Sequence, residues 1–134
     1  PPTTPRSQAI ARCVHKPLLL DAPSDPEREE ASFRYVPRPA RRRLLEMLGK
    51  VDLRLVGSGH VHQRRDFTFE RVRHVWAPST GFIIPDAKQE LIGIKETGLV
   101  EYRFAPDSFE VRHVRAKGQL NIDLDELFEK EPAG

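Results

Sequence analysis

Several residue types that would narrow the function are scarce in this chain of 134 residues. It has one cysteine, which excludes an internal disulfide framework and a zinc module built on several cysteines. No apolar run approaches the roughly 20 residues of a membrane-spanning helix and no secretory signal is visible, so we expect a cytoplasmic protein without a membrane partner. An excess of one charge is also lacking, since 22 basic residues face 20 acidic ones. This balance argues against nucleic acid as the partner.

The length and composition fit one globular domain over residues 1–134. Hydrophobic residues make up 38% of the chain and charged residues 31%, a composition rich in charge but not typical of disorder. Because the chain begins with Pro1 instead of Met, we expect it to be part of a longer protein. Three segments are expected outside the main body: a frayed, proline-rich lead-in at 1–8, an inserted loop at 21–40, and an acidic segment at 121–134 that forms either a short terminal helix or a tail.

The first half of the chain has the pattern of a crossover between two strands. Residues 9–15 are small and apolar, which predicts a short buried strand that ends near His15. Residues 41–50 carry leucine and methionine at helical spacing before Gly49, which predicts an amphipathic helix. Residues 51–56 predict a second buried strand. A right-handed crossover through the helix would make the two strands parallel neighbours in one sheet.

The second half is typical of an antiparallel meander. Short strand-like segments are separated by turn residues, and in residues 99–104 apolar and charged residues alternate as in a half-buried strand. These segments are FTFERV (67–72), RHVWAPST (73–80), ELIGIKE (90–96), LVEYRFA (99–105) and SFEVRHVR (108–115). The fold class predicted is therefore α/β (α+β), with two buried strands and one crossover helix followed by the meander.

Three of the five histidines stand where the two predicted buried strands end. His15 closes the first strand, and His60 and His62 form an H-x-H pair after the glycine turn that follows the second. Carboxyl ends of parallel strands meet at one edge of a sheet, where sites form in open α/β folds. Converging imidazoles there would suit zinc, iron or manganese. The alternatives are that the H-x-H side chains diverge toward two ions, or that each histidine is an ordinary hydrogen-bonded loop residue.

Two segments resemble consecutive signature blocks of the calcineurin-like metallophosphoesterases. LRLVGSGHVHQ resembles the last block, a hydrophobic strand followed by G-H-x-H. ARCVHKPLL resembles the preceding block, a strand that ends in a metal-binding histidine. The resemblance covers about residues 9–115 and includes the order of the blocks and the helix between them. It implies that the chain forms part of that family's β-sandwich and that the complete protein hydrolyses a phosphomonoester or a phosphodiester.

The resemblance also implies a site with two divalent metal ions, of Mn, Fe or Zn. His15 and His60 would ligate one ion and His62 the other, which makes His60 and His62 the catalytic pair. Such ions hold a water or hydroxide that attacks phosphorus in line. Arg64 follows closely and is a candidate contact for the substrate phosphate, since arginine binds phosphate in a bidentate manner. Its alternative role is that of a solvated turn residue.

The chain lacks the amino-terminal motifs of that family. D-x-H, G-D-x-x-D and G-N-H-D or G-N-H-E do not occur in it. We therefore expect a missing amino-terminal half of the same domain to supply the remaining ligands, and this segment alone to be inactive. A half-domain would also expose surface that favours a homo-oligomer. The alternative function is a non-catalytic β-sandwich module that binds a partner.

Overall fold

The computed structural model describes residues 9–18 and 33–129 of the chain. Within them the fold is mixed α/β, as predicted, and it contains a four-stranded and a two-stranded sheet. The elements in chain order are β1 (Ala9–Val14), α1 (Arg38–Leu48), β2 (Asp52–Ser58), β3 (Arg65–Phe69), β4 (Val72–Trp76), β5 (Leu99–Ala105), β6 (Ser108–Val114) and α2 (Leu124–Glu129).

The predicted crossover is confirmed, because β1 and β2 are parallel neighbours and α1 lies between them in the chain. Ala9 pairs with Asp52 and Val14 with Ser58. The burial predicted for the first strand is wrong, however, since four of the six residues of β1 are exposed. Within the part of the chain that is described, β1 is an edge strand that pairs with β2 alone. Cys13 is exposed for the same reason.

The start of α1 corrects the loop predicted at 21–40. The helix begins at Arg38 and not at residue 41, because a proline in its first turn already has the helical φ. Tyr35 is buried, and the Val36 N–H donates to the Pro17 carbonyl at 3.1 Å. This end of the loop therefore packs on the core and does not form a separate lobe. The predicted lead-in at 1–8, most of the predicted loop and the last five residues lie outside the described residues.

Arg41 joins α1 to a neighbouring segment of the chain. Its side chain is buried, although it lies in the first turns of the helix. Its Nη1 donates to the Leu18 carbonyl at 3.1 Å, and burial lowers the pKa of its guanidinium. The helix is thereby tied to the segment that follows β1.

The second half of the chain is only partly the predicted meander. The β3–β4 and β5–β6 hairpins are antiparallel, but β4 also pairs in parallel with β2, which gives the sheet order β1-β2-β4-β3. The predicted strand at 90–96 is not a strand and forms a single bridge, between Ile94 and Arg64. The acidic end contains the short helix α2, which is one of the two forms expected for it.

Two apolar clusters form the core around the larger sheet. Tyr35, Val61 and Trp76 form the first, and Leu18 and Val56 form the second. Trp76, the last residue of β4, is 1% exposed. Neither helix in the described ranges has the length and apolar character of a membrane span.

Candidate functional site

The parallel register of β1 and β2 brings His15 next to His60. Val14 and Ser58 are paired residues at the carboxyl ends of the two strands, so the chain that follows each strand emerges at one edge. The Gly59 N–H donates to the His15 carbonyl at 3.1 Å, which joins the two loops. The imidazole centroids lie 4.7 Å apart with an angle of 66° between the rings. The expected meeting of these residues at one sheet edge is therefore seen.

The H-x-H loop has an unusual backbone. His60 has φ of 69° and His62 has φ of 54°, in the left-handed region that costs a residue with a side chain on the order of 1 kcal/mol or more. Val61, between them, is 1% exposed and packs in the core. Its carbonyl accepts a hydrogen bond at 2.8 Å from Nε2 of the buried Gln89. Burial and this hydrogen bond hold the central residue while both histidines keep strained conformations.

His62 does not join the His15–His60 pair but faces a different part of the chain. Its Nδ1 lies 3.3 Å from the Phe82 carbonyl oxygen, and its ring lies 4.6 Å from the Phe82 ring. With the proton on Nδ1, the ring donates to this carbonyl and leaves the Nε2 lone pair available, which is how many metal-binding histidines are oriented. The H-x-H side chains thus diverge, which is one of the alternatives that the sequence leaves open.

The surroundings of His60 favour its neutral form. Burial is the main cause that lowers the pKa of this imidazole, and electrostatic interactions with His15, Lys16, His62 and Arg34 lower it further. A neutral imidazole offers the lone pair that a metal ion requires. The charged side chains of Lys16 and Arg34 make this edge of the sheet attractive to an anion.

Two residues of this edge come from the far end of the crossover connection, and the sequence analysis missed them. The Phe33 ring lies 6.3 Å from the His60 ring, and Arg34 is among the cations that act on His60. Lys16 Nζ donates to the Phe33 carbonyl at 2.6 Å, which ties this segment to the loop after β1. The sequence carries no motif for these residues, because their place depends on contacts with residues far away in the chain.

Arg64 is held away from the histidines. Its Nε lies 2.5 Å from Oε1 of Glu96, and its backbone exchanges hydrogen bonds with Ile94. No hydrogen bond, ion pair or ring contact among the described residues joins it to the three histidines. Glu96 neutralises the positive charge with which Arg64 would bind a phosphate. The position of Arg64 therefore does not support its predicted role in substrate binding.

The histidines supply part of a metal site. Two imidazoles that ligate one ion at about 2.1 Å have ring centroids about 5 Å apart, so the His15–His60 separation of 4.7 Å suits a shared ion. Within residues 9–18 and 33–129, no group of three or more His, Cys, Asp or Glu side chains could hold a metal ion. The described residues therefore offer an imidazole pair and a third, separately oriented imidazole, and a stable centre of two ions needs further ligands.

Comparisons with known proteins add no family to this description. No protein-family model matches the chain, and no curated protein matches it at a significant level. The resemblance to the metallophosphoesterases therefore rests on the two motif segments, and the geometry at the carboxyl edge of β1 and β2 carries the functional argument.

Proposed function

We propose that the complete protein hydrolyses a phosphate ester with two divalent metal ions at the carboxyl edge of β1 and β2. The observation that carries this proposal is the 4.7 Å separation of the His15 and His60 rings, which two parallel strands deliver to one edge. His15 and His60 would ligate one ion, and His62, oriented by the Phe82 carbonyl, would ligate the other. Mn, Fe and Zn all accept imidazole ligands.

Each group of this chain has a distinct task in the proposed reaction. When bound, the ions would supply a hydroxide nucleophile at neutral pH and positive charge that would stabilise the phosphoryl oxygens. Neutral imidazoles hold them without cancelling that charge. Lys16 and Arg34 add positive charge beside His60, which draws an anionic ester toward the edge. Turnover of p-nitrophenyl phosphate would identify a monoesterase, and turnover of bis(p-nitrophenyl) phosphate would identify a diesterase.

The remaining ligands are proposed to come from the missing amino-terminal half of the domain. Two divalent ions at close range repel each other strongly, so carboxylates must offset their charge. The family's carboxylate motifs do not occur in this sequence. The outer edge of β1, which pairs with no strand in the described part of the chain, is a place where that half can add strands. Alone, this segment should bind one ion weakly, show little turnover and self-associate through the open edge.

The test is the activity of histidine variants in the complete protein. With Mn²⁺ added, His60→Ala and His62→Ala should each lower turnover of p-nitrophenyl phosphate and bis(p-nitrophenyl) phosphate by roughly a hundredfold or more, as expected for lost metal ligands. His113→Ala, in β6 and outside the site, is the matched control and should keep most of the activity. Circular dichroism would establish that each variant is folded. Near-normal turnover by folded His60→Ala would overturn the assignment.

A non-catalytic binding module is the second candidate. It is favoured by the finding that residues 9–18 and 33–129 hold no group of three potential ligands for one ion. Calorimetry of the complete protein with Mn²⁺ and Zn²⁺ separates the two functions. Absence of metal binding together with absence of turnover would support the module, and binding of two ions would support the hydrolase.

A further inference from the structure

We infer that Phe33 is a binding platform for a planar aromatic group of the substrate, so that the protein prefers aromatic phosphate esters to aliphatic ones. This inference rests on the proposed function. The Phe33 side chain is 75% exposed, and its ring stands edge-to-face to the His60 ring at 6.3 Å and 86°. A single exposed phenylalanine is ordinary on a protein surface. What distinguishes this one is its contact with a histidine of the candidate metal site.

The exposed ring sits on a backbone that is fixed on several sides. Lys16 Nζ donates to the Phe33 carbonyl at 2.6 Å. The next residue, Arg34, donates from Nη2 to the Lys88 carbonyl at 3.0 Å, and the residue after it, Tyr35, is 3% exposed. These contacts reduce the conformational freedom that the backbone of residues 33–35 can lose on binding. A platform that is already ordered costs less to use than one that must be ordered by its ligand.

The position of the ring matches the dimensions of a small ester. In a small ester, the organic substituent is joined to the phosphorus through one ester oxygen. When the phosphoryl group is held beside His60, this substituent therefore lies only one or two bonds further out. Stacked and edge-to-face aromatic pairs have centroids about 4.5–7 Å apart, so a planar substituent can meet Phe33 while the phosphoryl group stays at the histidines. The Arg34 guanidinium carbon lies 5.8 Å from the centroid of the same ring, which keeps positive charge next to it. An anion that carries an aromatic group satisfies both features.

The experiment compares two esters of similar size and leaving-group chemistry in the complete protein with Mn²⁺. Benzyl phosphate carries a planar ring and cyclohexylmethyl phosphate a saturated one, and their methyl diesters serve if the enzyme is a diesterase. Wild type should prefer the benzyl ester, and Phe33→Ala should reduce that preference in kcat/KM roughly two- to tenfold. Phe33→Tyr should retain the preference. Phe128→Ala removes a phenylalanine that is 70% exposed on α2, and this control should change nothing.

A binding measurement gives a readout independent of turnover. Calorimetry with benzylphosphonate and cyclohexylmethylphosphonate should show the same preference, and the same loss of it in Phe33→Ala. A nucleoside 5′-monophosphate compared with ribose 5-phosphate tells whether a nucleobase or only a simple aryl group uses the platform.

The possible failures are distinguishable. If wild type and Phe33→Ala both hydrolyse the esters with the same preference, the inferred role of Phe33 is wrong and the proposed hydrolase function still holds. Absence of turnover of every ester would overturn the proposed function and the platform with it.

Discussion

Nε2 of Gln63 donates a hydrogen bond to Oε1 of Gln89 at 2.8 Å, and both side chains are buried. Gln89 in turn donates to the carbonyl of Val61, at the centre of the H-x-H loop. Oε1 of Gln63 accepts from the N–H groups of Ile92 and Gly93 at 2.8 and 2.7 Å. The Gln63 side chain therefore accepts the hydrogen bonds that a neighbouring strand would otherwise accept from Ile92 and Gly93. The Gln89 side chain stabilises the H-x-H loop through the Val61 carbonyl.

Replacement of Gln63 should be strongly destabilising. Gln63→Leu keeps the side chain close in size but leaves the Ile92 and Gly93 N–H groups without their acceptor, and unsatisfied buried donors cost about 1–3 kcal/mol each. We expect the free energy of unfolding in urea to fall by about 2–4 kcal/mol. Gln119→Leu, at a partly exposed glutamine, is the control and should cost much less. Equal losses in the two variants would show that the amide network contributes little.

Gly93 should tolerate no side chain. A Cβ at this position would lie 2.4 Å from the carbonyl oxygen of Arg64, a backbone atom that is held by its bridge to Ile94. Gly93→Ala should therefore lower the free energy of unfolding by roughly 1–3 kcal/mol through overpacking. At Gly81 the nearest atom to such a Cβ is the Ser79 hydroxyl at 4.0 Å, so Gly81→Ala is the matched control. Thermal unfolding of both variants makes the comparison, and an unchanged melting temperature in Gly93→Ala would contradict it.

Stability should depend on pH through His74. This residue of β4 is buried and stacks on the Phe67 ring at 5.1 Å, and burial lowers its pKa from 6.5 to about 4. Because the unfolded chain binds the proton first, the contribution of this neutral imidazole is intact above pH 6.5 and is lost as the pH falls toward 4. The loss should reach about 3 kcal/mol.

The check on His74 is urea unfolding across that pH range. His74→Leu should flatten the fall in stability between pH 6.5 and 4, whereas His15→Leu, at an exposed histidine of the sheet edge, should leave most of it. An unchanged slope in His74→Leu would assign the pH dependence to other groups.

The crossover and the meeting of two histidines could be predicted from the sequence because each depends on local pattern and chain order. Two apolar strands separated by one helix leave few topologies, and a right-handed crossover makes the strands parallel. His15 ends the first apolar run and His60 follows the second after a short glycine turn, so their placement at one edge needs no knowledge of the longer loops. Strand order beyond that point depends on tertiary pairing, and the insertion of β4 beside β2 has no local signal.

Other features could not be predicted because partners far along the chain decide them. The segment 90–96 has the composition of a strand, but the N–H groups of Ile92 and Gly93 donate to the Gln63 side chain and not to a neighbouring strand. Arg41 can be buried because the Leu18 carbonyl accepts a hydrogen bond from its guanidinium. The Phe33 ring lies beside the His60 ring although the two residues are far apart in sequence. Periodicity and spacing describe residues that are close in sequence, so they do not predict these contacts between distant residues.

The pairing of β1 with β2 has a consequence for the order in which the molecule assembles. It joins residues as distant as Ala9 and Asp52, whereas the described hairpins β3–β4 and β5–β6 join neighbours across tight turns. Contacts that close long loops lose the most chain entropy before they gain contact energy, so they tend to form late. We therefore expect His15 to reach His60 among the last events of folding. A chain in which β1 has not yet paired with β2 would keep its other strand pairs but would not bring His15 next to His60. Metal binding would therefore begin only after the four-stranded sheet is complete.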